Sequence, residues 1–114
     1  MVFTDVGVER LRDAITTDMT NGQAGTSIYP VTKSQGGLLT ASSDSNNALD
    51  SKFKSNNAIT VTHIVALAES NSKDLSEWEI NDGTNSYNRI VRSPLPKTSK
   101  DSFTMIHTFT IDRI

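Results

Sequence analysis

The sequence contains no cysteine, so a disulfide framework, a zinc–thiolate site and a thiol nucleophile are excluded. No apolar run approaches the roughly 18 residues of a membrane span, and no membrane association is expected. The first residues, Met1 to Asp13, mix acids and bases and lack an apolar signal core. There is no basic block, and the formal net charge is -2. A duplex-DNA binder must neutralise phosphates, so no nucleic-acid partner is expected. Hydrophobic residues are also scarce, at 35% of the chain. With so modest a net charge this share still describes a folded chain rather than a disordered one.

What fills the 114 residues is Ser, Thr and Asn, which favour turns, loops and exposed sheet faces. The length fits one domain, read as a helix over 1–22, an irregular stretch over 23–57 and an antiparallel sheet over 58–114. Thr4 to Met19 reads as a helix with Thr4 as N-cap and Asp5 at the positive end of the dipole. Val8, Leu11 and Ile15 recur at spacings of three and four and form its apolar stripe. On that reading Leu11→Asp is expected to disrupt folding or assembly. Asn21-Gly22 reads as a left-handed helix stop.

Gly25 to Thr32 suggests a short strand around Ile28, Tyr29 and Val31, irregular or at an edge because of Pro30. Ser34 to Asn47 reads as a solvated loop, with Leu38 and Leu39 dipping towards the core. From Leu49 the pattern turns to period two. Leu49 to Lys54 gives a weak strand and Asn56-Asn57 a turn. Ala58 to Ala68 is a long, central strand with Ile59, Val61, His63, Val65 and Leu67 on one face. Leu75 to Ile80 carries Trp78, read as packing rather than as a ligand platform. Asn81 to Asn85 is its hairpin loop and Tyr87 to Val91 the return strand. Ser93-Pro94-Leu95-Pro96 is expected to end the ladder, and Lys97 to Ser102 to form a polar turn. Phe103, Met105, His107, Phe109 and Ile111 then alternate with threonines in a last strand. The sum is a mainly β fold with one N-terminal helix (α+β), an antiparallel sandwich or partly open barrel.

No catalytic constellation emerges. His63 and His107 lie on apolar strand faces and come close if their strands pair, but the sequence names no third metal ligand. Glu77 and Glu79 share a face of one strand, which makes an exposed or ion-paired surface rather than a glycosidase cleft. Asp44 to Asp50 lacks the glycine and terminal glutamate of a calcium loop. Neither an enzyme nor a cofactor is expected.

The opening FTDVGVERLRDAI places Thr4, Gly7, Leu11, Arg12 and Asp13 in a T-x-x-G-x-x-x-(I/L)-(R/A)-(D/N) pattern. Later come LSEWEINDG, NRIVRSPLPKT and SFTMIHTFTI, with Leu75, Glu77 and Ile80 in a hairpin motif. Arg89, Val91, Pro94, Leu95, Lys97 and Thr98 follow in an R-x-V-x-x-P-(I/L)-x-K pattern. Together these segments resemble small structural proteins of tailed phages. The chain departs from the pattern at Glu79 and Asn81, where a glycine and an aromatic are usual. The resemblance implies a virion component of the tail, baseplate or tail-fibre attachment region. Its partners would be copies of itself, as a trimer or ring, and other virion proteins. A capsid decoration or head-fibre protein is the alternative. Another is a module for host-surface glycan in which Trp78, Tyr29 or Tyr87 stacks on a sugar ring. The residues expected to carry fold and assembly are Leu11, Ile15, Glu77, Trp78, Arg89, Pro94, Lys97, Phe103 and Phe109. Glu77 and Arg89 are expected to pair across the hairpin and hold its register.

Overall fold

A computed structural model describes residues 4–55 and 57–111. Helix α1 (Asp5–Asp18) is followed by strand β1 (Asn21–Gly25), a short 3-10 turn (Ser43–Ser45) and strand β2 (Asn47–Ala48). Strands β3 (Ser51–Ser55), β4 (Ala58–Val65), β5 (Lys73–Asn81), β6 (Ile90–Lys97) and β7 (Phe103–Thr110) complete the chain. All strand pairs are antiparallel. They form a four-stranded sheet in the order β2-β1-β5-β6 and a three-stranded sheet in the order β3-β4-β7. The two sheets face each other without closing into a barrel, so the expected sandwich is what forms.

Alternation decides the packing. In β4 every second residue is buried: Ile59, Val61, His63 and Val65. β4 is the centre of its sheet, as its two-sided apolar character predicts. The core falls into two parts. Met19, Ile59, Val61 and Ile80 form one, joined by Ile15, Phe109 and Leu49; Ala24, Val65, Leu75 and Trp78 form the other, joined by Phe103 and Met105. Trp78 is therefore core, which removes it as a sugar platform. β1 comes close over β4 because Gly22 has no side chain: a Cβ there would overlap the His63 imidazole.

The Thr4 cap forms, its hydroxyl accepting from the Gly7 N–H at 3.0 Å. The helix stripe, however, is not the one its apolar residues spell. Val8 is buried and Ile15 partly so, but Leu11 is 42% exposed. Arg12 takes the inward place and donates from Nε and Nη2 to the Ile111 carbonyl, at 2.9 and 2.6 Å. Lys54 bridges from β3 to Glu9 and Asp13 on the same helix. The expectation for Leu11→Asp is thereby revised. It should cost no more than about 1 kcal/mol, the size of a helix-propensity difference. Urea unfolding of this variant reads the number, and a loss several times larger would return Leu11 to the core.

Other expectations are corrected as well. Asn21-Gly22 opens β1 instead of stopping the helix, because the chain turns straight from Met19 into a strand. Around Ile28, Tyr29 and Val31 the irregular alternative holds and no strand forms, with all three side chains exposed. The 34–47 segment is not simply solvated, since Ser42 and Ser45 are fully buried and bonded. Leu67 lies beyond the end of β4 and is exposed. Asn57 sits in a turn, while Asn56 lies outside the described residues.

The prolines do not end the ladder. β6 begins later than expected, at Ile90, and runs through Pro94 and Pro96 to Lys97. It can do so because β6 is an outermost strand. Pro94 and Pro96 are two apart, so both missing N–H groups fall on the rim away from β5. Lys97 is no turn residue either. It is buried, and Nζ donates to the Leu67 and Thr98 carbonyls and to Asn71 Oδ1, tying down the 67–72 turn.

Candidate functional site

The densest polar chemistry lies on the outer face of β5, beneath the loop 26–40. Glu77 and Glu79 stand two residues apart and so project from the same side of the strand. Both are buried, so of the exposed or ion-paired surface expected of them Glu77 takes the ion-paired form. The loop is what buries them. Glu77 accepts hydrogen bonds from the backbone N–H groups of Leu39 (2.9 Å), Thr40 (2.9 Å) and Ser27 (3.0 Å). Glu79 accepts from the Leu38 N–H at 3.1 Å and from Asn81 Nδ2 at 2.8 Å. Ser76 Oγ donates to the Ser27 carbonyl at 2.9 Å. The loop has no strand partner for these amides, and the carboxylates take that place. Leu38 and Leu39 are thus held by their backbone; Leu39 itself is exposed.

Two glycines permit the close approach. A Cβ at Gly25 would overlap the Thr40 carbonyl and the Glu77 carboxylate. Gly37 has φ +139, and a Cβ there would press on Glu79 and Ser86.

Arg89 completes the arrangement, and its pairing with Glu77 is as expected. Its Nε donates to Glu77 Oε1 at 2.8 Å, with both side chains almost wholly buried. The register is not Arg89 opposite Glu77, however: Val91 stands opposite Glu77, and Arg89 reaches in from just before β6. Arg89 Nη1 donates to the Tyr29 carbonyl (2.9 Å) and Gln35 Oε1 (3.2 Å), which pins the far end of the loop. Nη2 is buried without a partner. Burial pushes the Glu77 carboxyl up, but the Arg89 guanidinium and the Leu39, Ser27 and Thr40 amides outweigh it and hold it below its ordinary value. The group is a fixed anion with its oxygens saturated, so it is a clamp and not a general base.

Between this loop and residues 86–89 lies a cavity of about 300 Å³. Lys33, Gln35, Ser86, Tyr87, Asn88 and Arg89 line much of it. The Tyr87 hydroxyl donates to Asp18, which fixes the ring.

The histidines come together inside the sandwich, as strand pairing predicts. Val61 stands opposite His107 and Met105 opposite His63. His63 Nε2 lies 3.0 Å from the Ser45 carbonyl, and Asn88 Nδ2 lies 3.1 Å from His107 Nδ1. The other ring nitrogens are buried and unbonded. Burial lowers the pKa of both rings, and for His107 the His63 ring and Arg92 add to it, down to about 4. Among the described residues no group of three metal-ligating side chains exists.

The candidate positions thus separate. Glu77 and Arg89 meet in the clamp. Trp78, Phe103, Phe109 and Ile15 pack the core, Lys97 ties a turn, Pro94 lies on a rim, and Leu11 faces solvent. The residues that sequence reasoning missed are Gln35, Gly37, Ser27 and the amides of 38–40. The pair Gly36-Gly37 was their only local signal. Set against family models, curated proteins and solved structures, the chain finds no match.

Proposed function

We propose that this protein is a structural component of a tailed-phage particle, in the tail, baseplate or tail-fibre attachment region, that works by assembly. The observation that carries this reading is the free edge of β7. Among the described residues β7 pairs only with β4, leaving its other rim of N–H and C=O groups without a strand. β7 has eight residues, no charge, no proline and no glycine. Soluble proteins that work alone protect such edges with charges, prolines or bulges. This chain does so at β6, with Pro94 and Pro96, and at β3, where Lys52 and Lys54 are tied to the helix. β2 is also outermost but only two residues long, so among the described residues β7 is the one long edge left bare.

The surroundings favour a guest strand. Leu95 pairs with the core residue Leu75 and shares its face, yet is 50% exposed. Ile106, on the outer face of β7, is 63% exposed. A strand from a neighbouring subunit or particle protein would complete the ladder at β7. The sequence resemblance to tail proteins points the same way.

Ile106→Lys tests this, because it places a charge on the edge strand outside the core. Wild type should associate with itself or with particle proteins, and the variant should do so about tenfold more weakly. Its melting temperature should be unchanged. Sedimentation over a concentration series and labelling of purified particles are the readouts. A wild type that stays monomeric throughout and is missing from particles defeats the proposal, and label confined to the capsid faces would move the protein to the shell.

A further inference from the structure

The cavity beneath the 26–40 loop has chemistry that assembly does not use. Most of its polar lining is already committed. Gln35 Oε1 accepts from the Thr32 N–H and from Arg89, and its Nε2 donates to the Pro30 carbonyl. Asn88 accepts from the Ile80 N–H and reaches His107. Ser86 Oγ donates to the Asn88 carbonyl. What is left over is donors. Arg89 is 7% exposed and its Nη2 has no partner. Lys33 has no ion pair or side-chain hydrogen bond among the described residues. A guanidinium carries five N–H groups in a rigid fork, and here Glu77 and the Tyr29 carbonyl hold that fork in place. A ligand of this cavity must therefore offer oxygen acceptors.

Charge decides which kind. Four carboxylates, Asp18, Glu77, Glu79 and Asp82, stand around the cavity residues against two cations, Lys33 and Arg89. An anionic ligand would add to the majority sign, and a neutral one would not. The ring of Tyr87, 38% exposed and fixed by Asp18, supplies an apolar face beside the donors. A volume of about 300 Å³ is at the lower end of ligand pockets. Hydroxyl oxygens on a compact, neutral ring with one apolar face satisfy all four conditions. We propose that the cavity lined by Lys33, Tyr87 and Arg89 is a subsite for one neutral sugar ring, free or at the end of a glycan. This inference does not depend on the assembly role.

Titration of the isotope-labelled full chain with galactose, glucose, N-acetylglucosamine and galacturonate tests it. At least one neutral sugar should give saturable amide shifts confined to residues 31–37 and 86–89. Galacturonate should bind about tenfold more weakly, as the charge balance requires. Tyr87→Ala should weaken neutral-sugar binding about tenfold while leaving the melting temperature in place. Because Arg89 also holds the fold, Tyr87 and Lys33→Gln are the variants to use. Immobilised glycans in parallel separate the two sources: binding there alone, lost in Tyr87→Ala, assigns the subsite to a glycan terminus. The proposal is overturned if no neutral sugar binds in either format, if the shifts lie elsewhere, or if the uronate binds best.

Discussion

Glu77→Ala should destabilise the protein by about 3–5 kcal/mol, the largest effect expected of any single substitution here. The substitution does two things at once. It strands the Arg89 guanidinium in a buried place without its counter-ion, and it removes the acceptor of three backbone N–H groups, those of Ser27, Leu39 and Thr40. The loop 26–40 has no ladder to fall back on, so its docking should fail together with global stability. Hydrogen exchange at Leu39 and Thr40 would report the first, and urea unfolding the second. Glu77→Gln separates charge from hydrogen bonding. It keeps one acceptor oxygen and should lose less. If Glu77→Ala proved as stable as wild type, with protected loop amides, the clamp would carry no weight.

How much of this was legible follows from the range of each interaction. The helix cap at Thr4, the alternation of β4 and β7 and the place of Trp78 depend on neighbours within a few residues or on a simple period. All of them could be read. The meeting of His63 and His107 needed only the assumption that two alternating strands pair. The clamp was half legible. An acid and an arginine flanking a hairpin suggested a pair, but the loop amides that bury it are 37 to 50 residues away. No local pattern announces an amide that will bond a distant carboxylate. Leu11 and Arg12 fail for a related reason. Hydrophobicity favours Leu11 inside, while the Ile111 carbonyl, nearly a chain length away, draws Arg12 there instead. At Pro94 and Pro96 the local rule was sound, but it is suspended on an outermost strand, and strand order is a property of the whole fold.

Acid should begin to destabilise this protein before most of its carboxylates titrate. His107 has a folded pKa of about 4 against roughly 6.5 in an unfolded chain. Above pH 6.5 both states carry a neutral ring, and stability is at its full value. Between pH 6.5 and 4 the unfolded chain binds a proton that the native ring refuses, so stability falls as the pH drops. At about 1.4 kcal/mol per pH unit, His107 alone removes about 3 kcal/mol across that window. His63 is shifted in the same direction by burial and adds to the loss. Glu77, with its pKa lowered, contributes stability that is present above the ordinary glutamate value and disappears only below it, so it takes over at the acid end. Urea unfolding at pH 7.5, 6.5, 5.5 and 4.5 traces the curve, and His107→Asn should flatten it. A stability that stays level from pH 7.5 to 5 would show that the rings gain protons in the native state.

The contrast between the bare rim of β7 and the proline-blunted rim of β6 bears on how large an object the chain can build. If β7 recruits a strand as proposed, backbone pairing adds one layer there, while among the described residues the other outermost strands are two residues long (β2), blunted by proline (β6) or tied to the helix (β3). On that proposal growth by sheet extension would terminate itself, giving particles of fixed stoichiometry where two bare rims would invite fibres.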